Sequence, residues 1–468
     1  MKNNLLLITA FLLLPLGLAA MQGKGKLTGA DGEIKLMVLD PGHFHAALVQ
    51  KTMYKQVSPL VHIYAPDGWD LEEHLKRVQS YNTRADNPTH WEQKIYRGPD
   101  FLQKMLSEKP GNVVVMAGNN QKKMEYIKAA LDAGLNVLAD KPMCIDQKGW
   151  EVLRTAFESA KKNNVLLYDI MTERNEITTV LQKELAHNYQ VFGAFRAGTP
   201  DDPAVTKESV HHLFKYVSGK PLQRPVWALD VKQQGEGIVD VSTHLVDLVM
   251  WEVFPQQKIN YKADIEMLRA KRWPTMVTKE QLTKVTGAAD FPDYLKGQLN
   301  SDGVLPYFSN GEIIFKLRGI HSKVSVVWNF EAPQGAGDTH FSVMKGSRSN
   351  IVIRQGKEQN YRPELYIEPA AEVDATIFGD SVKRALEGLA TAYPGLDVAQ
   401  EGKNWRVVIP DKYRVGHEAH FGQVAEKFLG YLTRGKLPEW EVPNMIAKYY
   451  TTTKALEMAQ TAAPQKTD

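Results

Sequence analysis

Between residues 33 and 170 short apolar runs alternate with amphipathic stretches. The apolar runs are IKLMVLD (34–40), SPLVHIYA (58–65), NVVVMAG (112–118), LNVLA (135–139) and NVLLYD (164–169). They are short and mostly apolar, which suits strands covered on both faces. Between them apolar residues return every three or four positions over 44–55, 70–79, 99–108, 121–133 and 147–162. That is the period of helices with one buried face. The alternation predicts βαβ units with right-handed crossovers, and so a doubly wound α/β domain on a parallel sheet.

The second half follows a different pattern. Polar and apolar positions alternate in GEIIFKLR (311–318) and HSKVSVVWNF (321–330), and helical periods return near 240–252, 417–433 and 443–460. Residues 171–460 are therefore expected to form an α+β domain with an open, mainly antiparallel sheet. Residues 255–310, rich in charge, Pro and Gly, read as an insertion, and no internal repeat is found.

Residues 1–20 stand apart from both halves. Lys2 precedes an apolar run from Leu5 to Leu18, and Gly17-Leu18-Ala19-Ala20 offers small residues for cleavage. The three-part pattern predicts a signal peptide and export, with the periplasm as the expected destination; the alternative is an uncleaved anchor. Pro15 and Gly17 break the run, which is too short for a comfortable membrane span.

The chain has 468 residues, 43% hydrophobic and 24% charged, with a net charge of +3 and no basic run. That balance argues against nucleic acid or an anionic membrane as a partner. The single cysteine, Cys144, excludes an intrachain disulfide and a multi-cysteine metal site; its apolar neighbourhood favours a packed thiol over a nucleophile.

In a doubly wound fold ligands lie beyond the carboxyl ends of the strands. Four segments of this chain are expected there. The first is Asp40-Pro41-Gly42-His43-Phe44-His45, where Gly42 would let the backbone approach a pyrophosphate. Only one glycine of the usual fingerprint is present, so a cofactor loop, a metal site and an ordinary turn all fit. The second is Asp67, a carboxylate suited to a ribose diol that would repel a 2′-phosphate, favouring NAD over NADP. The third is Gly118-Asn119-Asn120, and the fourth is Asp140-Lys141-Pro142.

Farther on, GEGIVDVSTHLVD (235–247) places Asp240, His244 and Asp247 at i, i+4 and i+7, on one helical face. A carboxylate one turn before a histidine can fix its tautomer for proton transfer; a structural pair and a metal site are the alternatives. SVHHLFKYVSGKPLQRPVW (209–227) gathers His211, His212, Lys215, Arg224 and Trp227, either a surface loop with a packed Trp or donors and aromatics for a polyhydroxy substrate. His417 and His420 could bind metal or line the pocket.

VVVMAGNNQKKMEYIKAALDAGLNVLADKP (113–142) resembles, without a gap, the strand, T-P-N turn, helix, A-L-x-A-G, strand and E-K-P of the glucose–fructose oxidoreductase and inositol dehydrogenase-like family (Gfo/Idh/MocA). Asn120 falls on the family's asparagine, Lys123 on its helix histidine and Asp140 on its glutamate. Residues 235–247 resemble the family's glycine turn and D-x-G-x-H-x-x-D helix, with Ser242 in place of glycine. The resemblance implies an N-terminal Rossmann domain over 33–170 and a C-terminal sheet serving as substrate wall and oligomer surface. It implies Lys141, Asp240 and His244 as the catalytic group, and Gly42, His43, Phe44, His45, Asp67, Gly118, Asn119, Asn120 and Asp140 as the cofactor-binding set. It calls for no metal.

The function this implies is NAD-dependent oxidation of a carbohydrate secondary hydroxyl, of a glycoside at C3 by analogy with exported members. The alternatives are a glycosidase that oxidises C3 transiently, and a silent sugar-binding protein on the same fold. Free NAD is scarce outside the cytoplasm, so export would require a tightly held cofactor.

Overall fold

The computed structural model describes residues 27–462 apart from 218–219 and 334–335; the expected signal segment lies outside the described residues. Six parallel strands form the first sheet: β1 (Leu36–Leu39), β2 (Leu60–Ala65), β3 (Glu92–Arg97), β4 (Val113–Met116), β5 (Asn136–Asp140) and β6 (Leu167–Ile170). Their spatial order is β3-β2-β1-β4-β5-β6, so the sheet reverses direction between β1 and β4. The helices between them are α1 (His45–Leu48), α2 (Trp69–Thr83), α3 (Phe101–Glu108), α4 (Lys123–Asp132) and α5 (Gln147–Lys162). Every residue of LMVL in β1 and VVVM in β4 is buried, the consequence of helices on both faces.

Two features depart from the pattern read along the chain. The helix expected over 44–55 is a single turn, His45–Leu48. Side chains take the carbonyls that a longer helix would use: Trp91 Nε1 donates to Gln50 O at 2.5 Å and Arg84 to Lys51 O at 2.8 Å. Strand β3 was not expected at all. EQKIYR has no buried residue, because an edge strand is paired on one side only.

The chain then forms α6 (Ile177–Ala186), β7 (Val205–Phe214) and a small hairpin of β8 (Tyr216–Val217) and β9 (Lys220–Pro221). After it come α7 (Val231–Gln234), α8 (Ser242–Val253), β10 (Ile265–Val277), α9 (Lys279–Thr286) and α10 (Asp293–Lys296). Strands β11 (Leu305–Leu317), β12 (Ile320–Glu331), β13 (Thr339–Lys345), β14 (Ser349–Arg354) and β15 (Glu364–Pro369) follow. The remaining elements are α11 (Ala375–Leu389), β16 (Asp397–Glu401), β17 (Asn404–Val408), α12 (His417–Arg434) and α13 (Glu441–Thr461). The second sheet has nine strands in the order β10-β11-β12-β7-β13-β14-β15-β17-β16, antiparallel except for the β12–β7 pair. Residues 255–310, expected as an insertion, thus supply the edge strand β10, and α9 and α10 pack with their own small core around Leu282, Phe291 and Leu295.

Helices α6, α8 and α11 cover one face of the second sheet in a core that includes Leu181, Val249, Phe315, Ile351 and Phe378. The C-terminal helices return to the first domain: Phe421, Phe428 and Tyr449 belong to the same core as β1 and β4. Buried charges join the two halves. Arg174 holds Asp247 through Nε and Nη2, both at 2.6 Å, and reaches Glu441 at 3.1 Å through Nη1. Lys448 bridges Asp169 at 2.6 Å and Asp247 at 2.9 Å. The network ties β6, α8 and α13 together, and so fixes the helix that carries His244.

Candidate active site

The C-terminal ends of β1, β4 and β5 meet the segment 230–244 of the second half across a cavity of about 920 Å³. A second cleft of about 490 Å³ lies beside the ends of β1 and β2, and both are bordered by Asp70, Arg224 and Trp227. The position follows from the reversal of strand order between β1 and β4, the switch point at which ligands of such sheets bind.

Lys141 follows β5 directly, and its Nζ lies 2.6 Å from Asp240 Oδ1, with both side chains mostly buried. Gln234 Nε2 donates to the other Asp240 oxygen at 3.0 Å. Burial alone would raise the Asp240 carboxyl, but Lys141 outweighs it and holds the group below its usual range. His244 lines the same cavity from the first turn of α8. Its Nδ1 is buried without a partner. Burial, with Lys141 and His417 adding to it, keeps the ring well below its ordinary value, so it is neutral at pH 7. The face-sharing expected of Asp240, His244 and Asp247 is not used as the spacing suggested. Asp240 precedes the helix and pairs with Lys141, while Asp247 belongs to the Arg174 network.

Below Lys141 the DKP turn is braced from α4. Lys123 Nζ donates to Asp140 O at 3.1 Å and Pro142 O at 3.2 Å, and burial lowers its ammonium to about 8. A buried lysine thus serves where the resembled family has histidine.

In the opening turn His45 Nδ1 lies 2.9 Å and His43 Nδ1 3.4 Å from Asp140 Oδ2. The turn's histidines therefore face Asp140 rather than outward. Burial lowers both rings, His45 to about 4. His417 Nε2 comes within 3.0 Å of His45 Nε2.

Four observations show that these residues suit a dinucleotide. A Cβ on Gly42 would lie 3.1 Å from both Asp70 Oδ2 and the Trp227 ring, so the opening turn packs closely against the side chains that border both clefts. A Cβ on Gly118 would meet Asp40 O at 2.3 Å, which holds the loop after β4 tight against the opening turn. Asp70 Oδ1 and Asn120 Oδ1 are buried acceptors without partners. Burial raises Asp40 and Asp70 to about 6, so these carboxyls lose charge more easily than usual beside a phosphate.

Several expected cofactor residues are placed differently. Asp67 borders the smaller cleft, but it is exposed and paired with Arg97 at 2.7 Å. Asn119 lines neither cleft; its Nδ2 donates to Gln233 Oε1 at 2.7 Å. Asn120 reaches the main cavity and also donates to Gln234 O at 2.6 Å. These two asparagines dock α7, and with it Asp240, onto the sheet edge. Phe44 lines the main cavity beside the two histidines.

Of the expected substrate residues, His211, Lys215, Arg224 and Trp227 line the cavity, whereas His212 is buried beneath it. Asp338 organises two of them, taking His211 Nδ1 at 2.9 Å and Lys215. Trp328 stacks on His211 with ring centroids 4.9 Å apart. Arg224 donates to the carbonyls of Leu213 and His212, so it braces this wall. Glu173 also faces the cavity, its carboxyl pushed up to about 7 by burial and neighbouring Glu176. No motif pointed to Asp338, Trp328 or Glu173, since each reaches the cavity only through the tertiary fold.

Residues 41–169 match the family described as "Oxidoreductase family, NAD-binding Rossmann fold". Residues 181–460 match the "Putative oxidoreductase C terminal domain". Among solved structures, a "putative oxidoreductase" from Parabacteroides merdae ATCC 43184 is 58% identical, with 93% of this chain and 99% of that one covered and a TM-score of 0.91. One from Thermotoga maritima is 16% identical, covers 92% and 98%, and has a TM-score of 0.57. A levoglucosan dehydrogenase in complex with NADH is 13% identical, covers 91% and 97%, and has a TM-score of 0.57. The last two share the fold alone. No curated protein matches the chain. With both halves matched in order, this chain belongs to the Gfo/Idh/MocA family of oxidoreductases and carries its NAD-binding Rossmann fold.

Proposed function

We propose that the protein oxidises a secondary hydroxyl of a carbohydrate, a glycoside at C3 in the most specific form, at the Lys141–Asp240–His244 group. The observation that carries this reading is the Lys141–Asp240 pair beside a neutral histidine in one cavity, on an NAD-binding fold. A bound nicotinamide would accept the hydride from the carbinol carbon. Lys141 donates a hydrogen bond to the reacting oxygen and stabilises the alkoxide charge that develops there. His244, neutral at pH 7, accepts the hydroxyl proton at the ring nitrogen facing the cavity. Asp240 keeps Lys141 at that oxygen. His211 and Lys215, held by Asp338, offer donors to the neighbouring hydroxyls, and Trp328 sets the wall behind them.

A dinucleotide would be held at the end of the first sheet by the turn and loop that carry Gly42 and Gly118, both of which line the larger cavity. NAD is favoured over NADP, because the Asp67 carboxylate borders the smaller cleft and disfavours an added phosphate. A levoglucosan dehydrogenase with NADH among the fold neighbours supports a sugar substrate by analogy.

Titration of the purified chain with NADH, followed by NAD⁺ and a methyl glycoside, tests the proposal. Saturable NADH binding and a keto glycoside with its linkage intact are expected. Free sugar and aglycone would favour the transient-oxidation glycosidase, and absence of NADH binding would remove both redox readings. Nicotinamide absorbance retained through purification is the expected mark of a tightly held cofactor.

A further inference from the structure

The cluster of His43, His45 and Asp140 has a geometry that the redox reaction does not require. Both histidine Nδ1 atoms approach one oxygen, Asp140 Oδ2, at 3.4 and 2.9 Å, and the three atoms all lie within 4.8 Å of one another. A hydrogen bond from His45 accounts for the shorter contact. The longer one is different, because His43 Nδ1 also receives the His45 amide at 3.4 Å. At 3.4 Å neither the amide contact nor the carboxylate contact is a firm hydrogen bond, so neither commits the His43 Nδ1 lone pair. A cation is the group that reconciles two such acceptors.

The two nitrogen–oxygen distances agree with that reading. Ligand atoms about 2.1 Å from a metal are about 3.0 Å apart at a right angle and about 3.4 Å apart at the tetrahedral angle. We propose that His43 Nδ1, His45 Nδ1 and Asp140 Oδ2 bind one divalent first-row transition-metal ion where the opening turn meets the end of β5. Two imidazoles and one carboxylate suit zinc, iron or manganese better than magnesium or calcium, which prefer oxygen.

His417 supplies the outer partner such a site uses. With metal on His45 Nδ1, the ring proton sits on Nε2 and is donated to His417 Nε2, 3.0 Å away. A bond of this kind fixes the tautomer and the ring orientation of a metal-bound histidine. Three protein ligands leave coordination positions open. They face the cavity on the side of His43, whose side chain is 29% exposed against 8% for His45 and 5% for Asp140. The inference does not depend on the redox reading, since the ion is tested alone.

The experiment uses the full chain, free of any histidine tag, stripped with EDTA and dialysed into chelator-free buffer. Titration with Zn²⁺ by calorimetry, and with Co²⁺ by visible absorption, should show one equivalent bound at micromolar concentration or tighter, with a Co²⁺ band of imidazole ligation. His43→Ala and Asp140→Asn should each weaken binding at least about 10-fold, the lower end of what even outer partners contribute. His43 is the most exposed of the three, so His43→Ala tests the site where Asp140→Asn disturbs the turn. His321→Ala, whose ring bonds Ala197 O, should bind as the unaltered chain does. Absence of a stoichiometric ion, or equal binding by the His43→Ala chain, would overturn the proposal and leave a metal-free hydrogen-bonded turn.

Discussion

Lys141→Met is expected to lower kcat for glycoside oxidation by about 10²–10⁴-fold, the usual contribution of a positioned proton-handling or oxyanion-stabilising group. Methionine keeps the length of the side chain and removes the charge. The reacting oxygen then loses its cationic donor, and Asp240, mostly buried, loses the ammonium 2.6 Å away. The second loss also lowers stability, because a buried carboxylate without its partner is costly. The double variant Lys141→Met/Asp240→Asn removes both charges and separates the two effects. It should recover most of the lost stability and none of the activity, and NADH affinity should change little in either protein. Recovery of turnover in the double variant would show that Lys141 acts only by neutralising Asp240. The measurement is kcat and KM beside thermal unfolding for the three chains.

Asp247→Ala should be the most damaging single change in the scaffold, costing about 3–5 kcal/mol as an interrupted buried ion network. Its carboxylate takes two hydrogen bonds from Arg174 and one from Lys448, and all three side chains are at most 4% exposed. Removing it leaves two cations buried with less compensation. Burial opposes its ionisation, but Arg174 and Lys448 outweigh that and hold the carboxyl well below its usual range. The stability it gives is therefore present above the unfolded value of about 3.9 and is lost as pH falls through the lower folded value. Urea unfolding of Asp247→Ala beside the unaltered chain at pH 7 and pH 3 measures both the loss and its sign, the difference between the two chains being smaller at pH 3. A change under about 1 kcal/mol at pH 7 would mean the network contributes no more than an exposed pair.

How much of this was visible along the chain varies by element. Five strands of the first sheet were legible because they are mostly apolar and covered by helices, and the long helices each bury one face. Strand β3 escaped because an edge strand needs no apolar face. The helix at 44–55 was overestimated because the side chains that end it, Trp91 and Arg84, come from far along the chain. Lys141, Asp240 and His244 were legible as two motifs, and their convergence in one cavity followed from the family pattern. The role of Asp247 was not, because spacing on a helix places side chains on a face without showing what lies opposite. Asp338 shows the same limit. It carries no motif, yet it organises the His211 and Lys215 wall once β13 is laid beside β7.

In the function proposed, this cavity moves a hydride from a sugar carbinol carbon to a nicotinamide. A methyl glycoside deuterated at C3, incubated with the protein and NAD⁺ and followed by mass spectrometry, tests it directly. A keto glycoside that has lost the deuterium is expected, matched by one deuterium on the reduced nicotinamide, and neither product with Lys141→Met. Unchanged glycoside beside unlabelled cofactor, across glycosides of differing sugar and anomer, would contradict it.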